Sequence, residues 1–365
     1  MPLGLYLHVP FCDGKCPYCD FYSLRGDEGQ MDAYVEVACR ELARWGRALS
    51  RPADTLYFGG GTPSLLGEAR LIRLVEAARR AFGLQNVEIT VEVNPTRGKG
   101  LDFSALRDCG INRLSIGLQS ADEGELAALG RRHSAADARA AVRAAQRAGF
   151  DNLSLDLMLA VPGQTEGSLA ASVDFCRDCG VQHVSAYLLK LEEGTPFFDR
   201  REALSLPDED GQADRYLLAC SLLERAGFEQ YEISNFCLPG RESRHNLKYW
   251  DGAEYLGIGP SAHSFLNGER FYTPRELFSF LREPAYVPDG PGGDEEEYAM
   301  LRLRLTKGLT EADFIRRFGR EIPARWRQNA RRYQPGGLLV CDREGIRFTK
   351  EGFLLSNQLI AEVIL

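Results

Sequence analysis

A chain of 365 residues that is 44% hydrophobic carries enough apolar side chain for one large core and a smaller second unit, which excludes a disordered protein. Its 44 Lys and Arg stand against 52 Asp and Glu, a net charge of −8, so no polyanion-binding surface is advertised and nucleic acid is not an expected partner. No basic segment followed by an apolar run opens the chain, and no stretch approaches the roughly 18 apolar residues of a membrane span. The expectation is a cytoplasmic protein without a transmembrane segment, its ten cysteines kept as thiols and available for metal binding or catalysis.

Up to about residue 190, short β-rich apolar runs alternate with amphipathic helical stretches, the signature of repeated β/α units. Strands are predicted over Leu3–Val9, Thr55–Phe58, Val87–Val93, Arg113–Leu118, Asn152–Leu157 and His183–Leu189. Helices are predicted over Met31–Trp45, Ala69–Phe82, Ala135–Ala148 and Leu169–Cys179. Gly110, Gly149 and Gly180 each follow a helical stretch, as a left-handed cap does. Six such units make an α/β fold with a partial parallel (β/α)6 barrel. Residues 190–290 lose the alternation and are rich in Pro, Gly and aromatics, so an irregular extension is expected there, with the first domain spanning residues 1–287. Pro288-Asp289-Gly290-Pro291-Gly292-Gly293 has the composition of a linker, residues 288–293. In residues 294–365, helical patterns over Tyr298–Leu305, Glu311–Phe318 and Ala324–Tyr333 precede two β-like runs, Leu338–Cys341 and Gly345–Phe348, and a final helix. That order suggests a winged-helix-like domain. Seven arginines between Arg316 and Arg332 suit a solvated helical surface.

The strongest chemical signal is Cys12-Asp13-Gly14-Lys15-Cys16-Pro17-Tyr18-Cys19, three thiols spaced C-x3-C-x2-C directly after the first strand. A structural zinc site wants four ligands, and no second pair follows; Cys39, in a helix, is a poor fourth. Three thiolates suit an iron–sulfur cubane with one iron open to an outside chelator. Gly59-Gly60-Gly61-Thr62-Pro63 follows the second strand, where missing side chains allow a close backbone approach. Glu92, Gln119 and Asp156 stand at or just past the ends of predicted strands, on the rim where β/α barrels bind ligands. Cys176 and Cys179 form a C-x-x-C that closes a helix rather than opening one, which reads as buried packing.

This pattern resembles the radical S-adenosylmethionine (SAM) superfamily, whose motif is the same three-cysteine spacing after the first barrel strand. The resemblance implies a four-iron four-sulfur cluster on Cys12, Cys16 and Cys19, with SAM chelating the open iron and cleaved by one electron to a 5′-deoxyadenosyl radical. It assigns to cofactor binding Gly59, Gly60, Gly61 and Thr62, with Tyr6, Tyr18, Glu92, Gln119, Asp156 and the Arg131 of Leu129-Gly130-Arg131-Arg132-His133.

A narrower likeness is to the oxygen-independent coproporphyrinogen III oxidase-like group. It is carried by Tyr6-Leu7-His8-Val9-Pro10-Phe11-Cys12, Cys19-Asp20-Phe21, Glu192-Glu193-Gly194-Thr195-Pro196 and Tyr231-Glu232-Ile233-Ser234-Asn235-Phe236. His245-Asn246-Leu247-Lys248-Tyr249-Trp250 and Gly257-Ile258-Gly259-Pro260-Ser261-Ala262-His263-Ser264 add to it. The oxidases of the group look to carry a further cysteine two residues after the third, where this chain has Phe21, and a longer N-terminal extension. Both departures favour the group's haem-chaperone branch, with oxidative decarboxylation of coproporphyrinogen III as the alternative activity. That branch implies haem as cargo, acceptor haem proteins and an electron donor as partners, no nucleic acid, and a homodimer left open. For the haem ligand, His245 is preferred, with Tyr249 and Trp250 packed on the macrocycle, and His263 comes second.

Overall fold

The computed structural model describes residues 2–95 and 100–365. Six strands, β1 (Leu3–Val9), β2 (Ala53–Gly60), β3 (Glu88–Val93), β4 (Arg113–Gln119), β5 (Leu153–Leu159) and β6 (His183–Leu188), lie side by side in chain order, all parallel. Parallel neighbours need a crossover, and the amphipathic helices Glu28–Leu49, Gly67–Phe82, Ala135–Arg147 and Glu166–Cys179 supply four of them. Strand alternation sets the layers: Leu3, Leu5, Leu7 and Val9 are fully buried in the core, while Gly4, Tyr6 and His8 occupy the other face. Capping boxes of Asp27 with Gln30, Ser134 with Asp137 and Thr165 with Ser168 start three helices, and Gly110, Gly149 and Gly180 all take positive φ beyond helix ends. Cys176 and Cys179 are buried in the core.

Residues 190–290 correct the expectation of irregular structure. They hold β7 (Glu229–Gln230), β8 (Asn235–Cys237), β9 (Tyr255–Ile258), β10 (His263–Leu266), β11 (Glu269–Tyr272) and the start of β12 (Val287–Pro291), besides helices Glu209–Arg225 and Arg244–Trp250. These strands extend both edges into a twelve-stranded sheet of order β12-β11-β10-β9-β1-β2-β3-β4-β5-β6-β8-β7. β9 joins β1 in parallel and β8 joins β6 antiparallel. Two to five residues per strand are too few to show a period. The expected linker at 288–293 is likewise mostly strand: Pro288 pairs with Phe271 and Pro291 with Glu269, and proline is tolerated because β12 is an edge.

Helix Arg244–Trp250 plugs the lower end of the barrel, the end where the parallel strands start. Lys248 Nζ donates to Pro2 O (3.0 Å) and pairs with Asp54 (2.7 Å), and the first backbone amides of the helix donate to Glu88 at the foot of β3. The C-terminal residues form helices around a small antiparallel sheet, β13 (Leu309–Thr310), β15 (Gly345–Phe348) and β14 (Leu339–Asp342), with Trp326 and Phe314 buried in its core. In the arginine run, Arg316, Arg320, Arg325 and Arg327 pair with Asp313, Glu295, Glu296 and Glu311, which removes the basic face such a run suggests. No helix of the described residues is long and apolar enough to cross a membrane.

Candidate functional site

The loop after β1 carries the three cysteines onto the rim made by the C-terminal ends of the parallel strands. Cys12, Cys16 and Cys19 are half-buried free thiols, and all line one cleft of about 590 Å³. Backbone bonds fold the loop back on itself: Cys12 N donates to Leu24 O (2.9 Å), Leu24 N to Pro10 O (2.9 Å) and Cys19 N to Cys16 O (3.1 Å).

The end of β2 braces this loop. Gly61 N donates to Val9 O (2.9 Å), Thr62 N to Phe11 O (2.7 Å), and Thr62 Oγ1 to Cys12 Sγ (3.6 Å). A Cβ on Gly61 would lie 2.5 Å from the Phe11 carbonyl oxygen, and one on Gly60, at φ +107°, 2.5 Å from the His8 ring. The glycine stretch is therefore demanded by the approach of two backbone segments, whatever else it meets. Across the cleft, Arg131 Nη1 donates to Cys16 Sγ (3.4 Å), its Nη2 donates to Asn94 Oδ1, and Tyr18 lies beside both Cys16 and Arg131. A guanidinium beside a cysteine sulfur can offset the negative charge of a thiolate.

The donor set fits a group larger than one ion. Among the described residues no three His, Cys, Asp or Glu side chains converge on a single metal centre, whereas a cubane takes its three thiolates at three separate corners.

Below the rim, Gln119 ends β4 at φ +69° beside an irregular register at Gly117, the kind of non-glycine strain that clusters at ligand sites. Glu92 accepts from the Tyr57 hydroxyl (2.9 Å); burial, reinforced by nearby Asp156, pushes its carboxyl up to about 7. Asp156 accepts from Ser115 (3.0 Å), and burial raises its carboxyl too. These carboxyls are poised to accept hydrogen bonds from amino and hydroxyl groups of a ligand.

Of the residues singled out in the sequence, the structure brings Cys12, Cys16, Cys19, Tyr18, Gly60, Gly61, Thr62, Glu92, Gln119, Arg131 and Asp156 to the one cleft. Tyr6, Gly59, His245 with Tyr249 and Trp250, and His263 stand outside its lining. Tyr6 stacks near Tyr57 (6.2 Å between ring centres) with its hydroxyl on His8 Nδ1 (3.1 Å), and Gly59 lies behind it, where a Cβ would strike Tyr57, Glu92 and Tyr6. His245 is the larger correction. It sits in the plug at the opposite end of the barrel from the cysteines, 1% exposed, with Nδ1 on Thr55 Oγ1 (2.8 Å) and Nε2 on Tyr249 Oη (2.9 Å). Burial holds its imidazole down at about 3, and Tyr249 packs on Tyr255 rather than facing outward. Neither ring nitrogen is open to a metal. His8, His133 and His183 are also buried and hydrogen-bonded, so His263, stacked on Tyr272 (5.4 Å), is the one exposed histidine of the five. Arg113, Tyr187, Asn94 and Asn246 line the cleft without having been singled out. Period-two alternation through 113, 115, 117 and 119 is the signal that would have found Arg113.

A Radical SAM superfamily model matches residues 6–176, and a HemN C-terminal domain model matches residues 296–355. In fold, the chain is similar to coproporphyrinogen III oxidase (HemN) of Escherichia coli, with a TM-score of 0.84 at 22% identity over 100% of this chain and 90% of that one. Fold and matches define an α/β radical SAM protein of the HemN-like group. The chain is 37% identical, over its whole length and 95% of the relative's, to heme chaperone HemW of Mycobacterium tuberculosis. It is 34% identical to HemW of Lactococcus lactis over 100% of this chain and 98% of that protein. It is also 34% identical to mitochondrial radical S-adenosyl methionine domain-containing protein 1 of Bos taurus, over 99% of this chain and 87% of the relative. The chain belongs to the HemW family.

Proposed function

We propose that this protein is a cytoplasmic haem chaperone, binding haem and handing it to acceptor haem proteins, with a four-iron four-sulfur cluster on Cys12, Cys16 and Cys19 and SAM in the adjoining cleft. The observation that carries this reading is the 37% identity to a heme chaperone across the whole chain. Phe21 supports it: the ring is 64% exposed beside Cys19, at the position where the oxidases of the group look to carry another cysteine.

When bound, cluster and SAM supply one-electron chemistry, and the chain supplies position and shielding. Arg131 holds the Cys16 sulfur, and the Gly60–Thr62 backbone fixes the loop. Gln119, Glu92 and Asp156 offer polar atoms to SAM. With His245 enclosed, His263 takes its place as the haem ligand on the ground that its imidazole is exposed. An electron donor and the acceptor haem proteins are the remaining partners.

The test is anaerobic. The reconstituted protein is given SAM, a strong reductant and coproporphyrinogen III, and protoporphyrinogen IX is followed by chromatography while haem binding is titrated in parallel. Stoichiometric haem binding, weakened in His263→Ala, with no product is the expected result. Turnover would replace the chaperone with an oxidase.

A further inference from the structure

Four cationic side chains line the cleft: Lys15, Arg113, Arg131 and Lys190. Lys15 lies on the cysteine loop at the rim, Lys190 pairs with Glu192 (2.8 Å), and Arg131 is engaged by Cys16 and Asn94. Arg113 differs. It is the first residue of β4, six residues and about 20 Å of strand below Gln119, and it is 1% exposed. Its Nε has no hydrogen-bond partner, and among the described residues its guanidinium has neither a hydrogen bond nor an ion pair within 4.0 Å.

The groups around it are already hydrogen-bonded elsewhere, although the charges of Glu88 and Asp156 favour the guanidinium. Glu88 accepts from the amides of Arg244 (3.2 Å) and His245 (3.0 Å), and Asp156 accepts from Ser115. His245 is held by Thr55 and Tyr249, and His183 by Ser154 and the hydroxyl of Tyr231. A buried guanidinium presents five donors in a planar fork that matches a carboxylate, and leaving those donors without an acceptor in a low-dielectric interior is costly. Ser115, Ser185 and Asn246 line the same cleft and add short polar arms.

We propose that the floor of the cleft is a carboxylate-binding site built round Arg113, which takes one carboxylate of a ligand reaching down the barrel. The proposal rests on reading the cleft as the ligand site of this protein. A porphyrin brings this chemistry through a propionate arm; on the reading above SAM commits its amino-acid end to the open iron at the rim, and it serves as the control.

The full chain and its Arg113→Met and Arg113→Lys variants are titrated with protoporphyrin IX against its dimethyl ester, and with SAM against decarboxylated S-adenosylmethionine. The wild type should prefer protoporphyrin IX over its ester by about 10- to 100-fold, the size of one charge-assisted bidentate contact. Arg113→Met should abolish that preference and Arg113→Lys keep part of it, while all three proteins discriminate SAM from its decarboxylated form alike. Arg113→Met binding protoporphyrin IX as tightly as wild type would overturn the site.

Arg113→Lys keeps the positive charge that Glu88 and Asp156 face, so it carries the test if Arg113→Met fails to fold: a lysine that kept the whole preference for the acid would overturn the site. A wild type that binds neither acid nor ester would sink the chaperone reading together with the site, whereas equal binding of acid and ester would overturn the site alone.

Discussion

At the rim of the barrel, Arg131 reaches the Cys16 sulfur across 3.4 Å and Thr62 reaches Cys12 across 3.6 Å; at the floor, His245 and His183 place both ring nitrogens on hydroxyl groups of their neighbours. The rim groups stand on loops beyond the strand ends, with neighbours on one side and the cleft on the other. The floor groups stand within strands or on the plugging helix and are enclosed all round. Depth along the barrel axis therefore decides, Arg113 excepted, whether a polar side chain is offered to a ligand or used to hold the fold. Change at the rim should damage cofactor binding and spare stability, and change at the floor histidines should do the reverse.

The largest effect is expected from Cys16→Ser. Iron bound per chain after anaerobic reconstitution should fall to near background, while chemical denaturation of the iron-free protein shifts by less than about 0.5 kcal/mol, as suits a half-buried loop residue. A collapse of the iron-free fold would break the contrast.

Glu92, between the two levels, should show a pH effect. Its carboxyl is raised from 4.5 to about 7 in the fold, so its contribution to stability is fully present below pH 4.5 and is lost as pH rises through 7. Relative to Glu92→Gln, the wild type should lose up to about 3 kcal/mol over that window, read from denaturant midpoints. A difference that stays flat with pH would place Glu92 in contact with solvent.

The smallest of the three is His245→Ala. Orphaning the Thr55 and Tyr249 hydroxyls should cost about 2 kcal/mol of stability and leave the haem affinity of the folded protein unchanged. A loss of haem affinity without loss of stability would return His245 to the ligand site and erase the division by depth.

Much of the rim was legible. Cys12, Cys16 and Cys19 announce themselves by spacing, and Gly59-Gly60-Gly61 by the absence of side chains directly after a strand. Gln119 is recognisable as a strand-terminal polar residue, whereas β3 and β5 run on past Glu92 and Asp156 and set those carboxyls below the rim. The six parallel strands were equally readable, since runs of six to eight residues separated by helices leave a clear period. β7 to β12 were not. Their pairing depends on contacts between segments far apart in the chain, such as β9 with β1, and short strands at a sheet edge carry no pattern of their own. His245 was misplaced for a related reason: its motif shows an imidazole among aromatics, and only the docking of Arg244–Trp250 onto Pro2, Asp54 and Glu88 puts it at the end of the barrel away from the cysteines.

By itself the sequence determined that this chain builds a parallel β/α barrel and presents three thiols and a glycine stretch at the strand ends, because helix and strand periods and residue spacing are local properties. Only the tertiary structure decided which histidine is open, that the buried Arg113 has no hydrogen-bond acceptor among the described residues, and how the cleft is closed below. Those depend on burial and on partners from distant strands, and a local pattern does not carry the depth at which a side chain comes to rest.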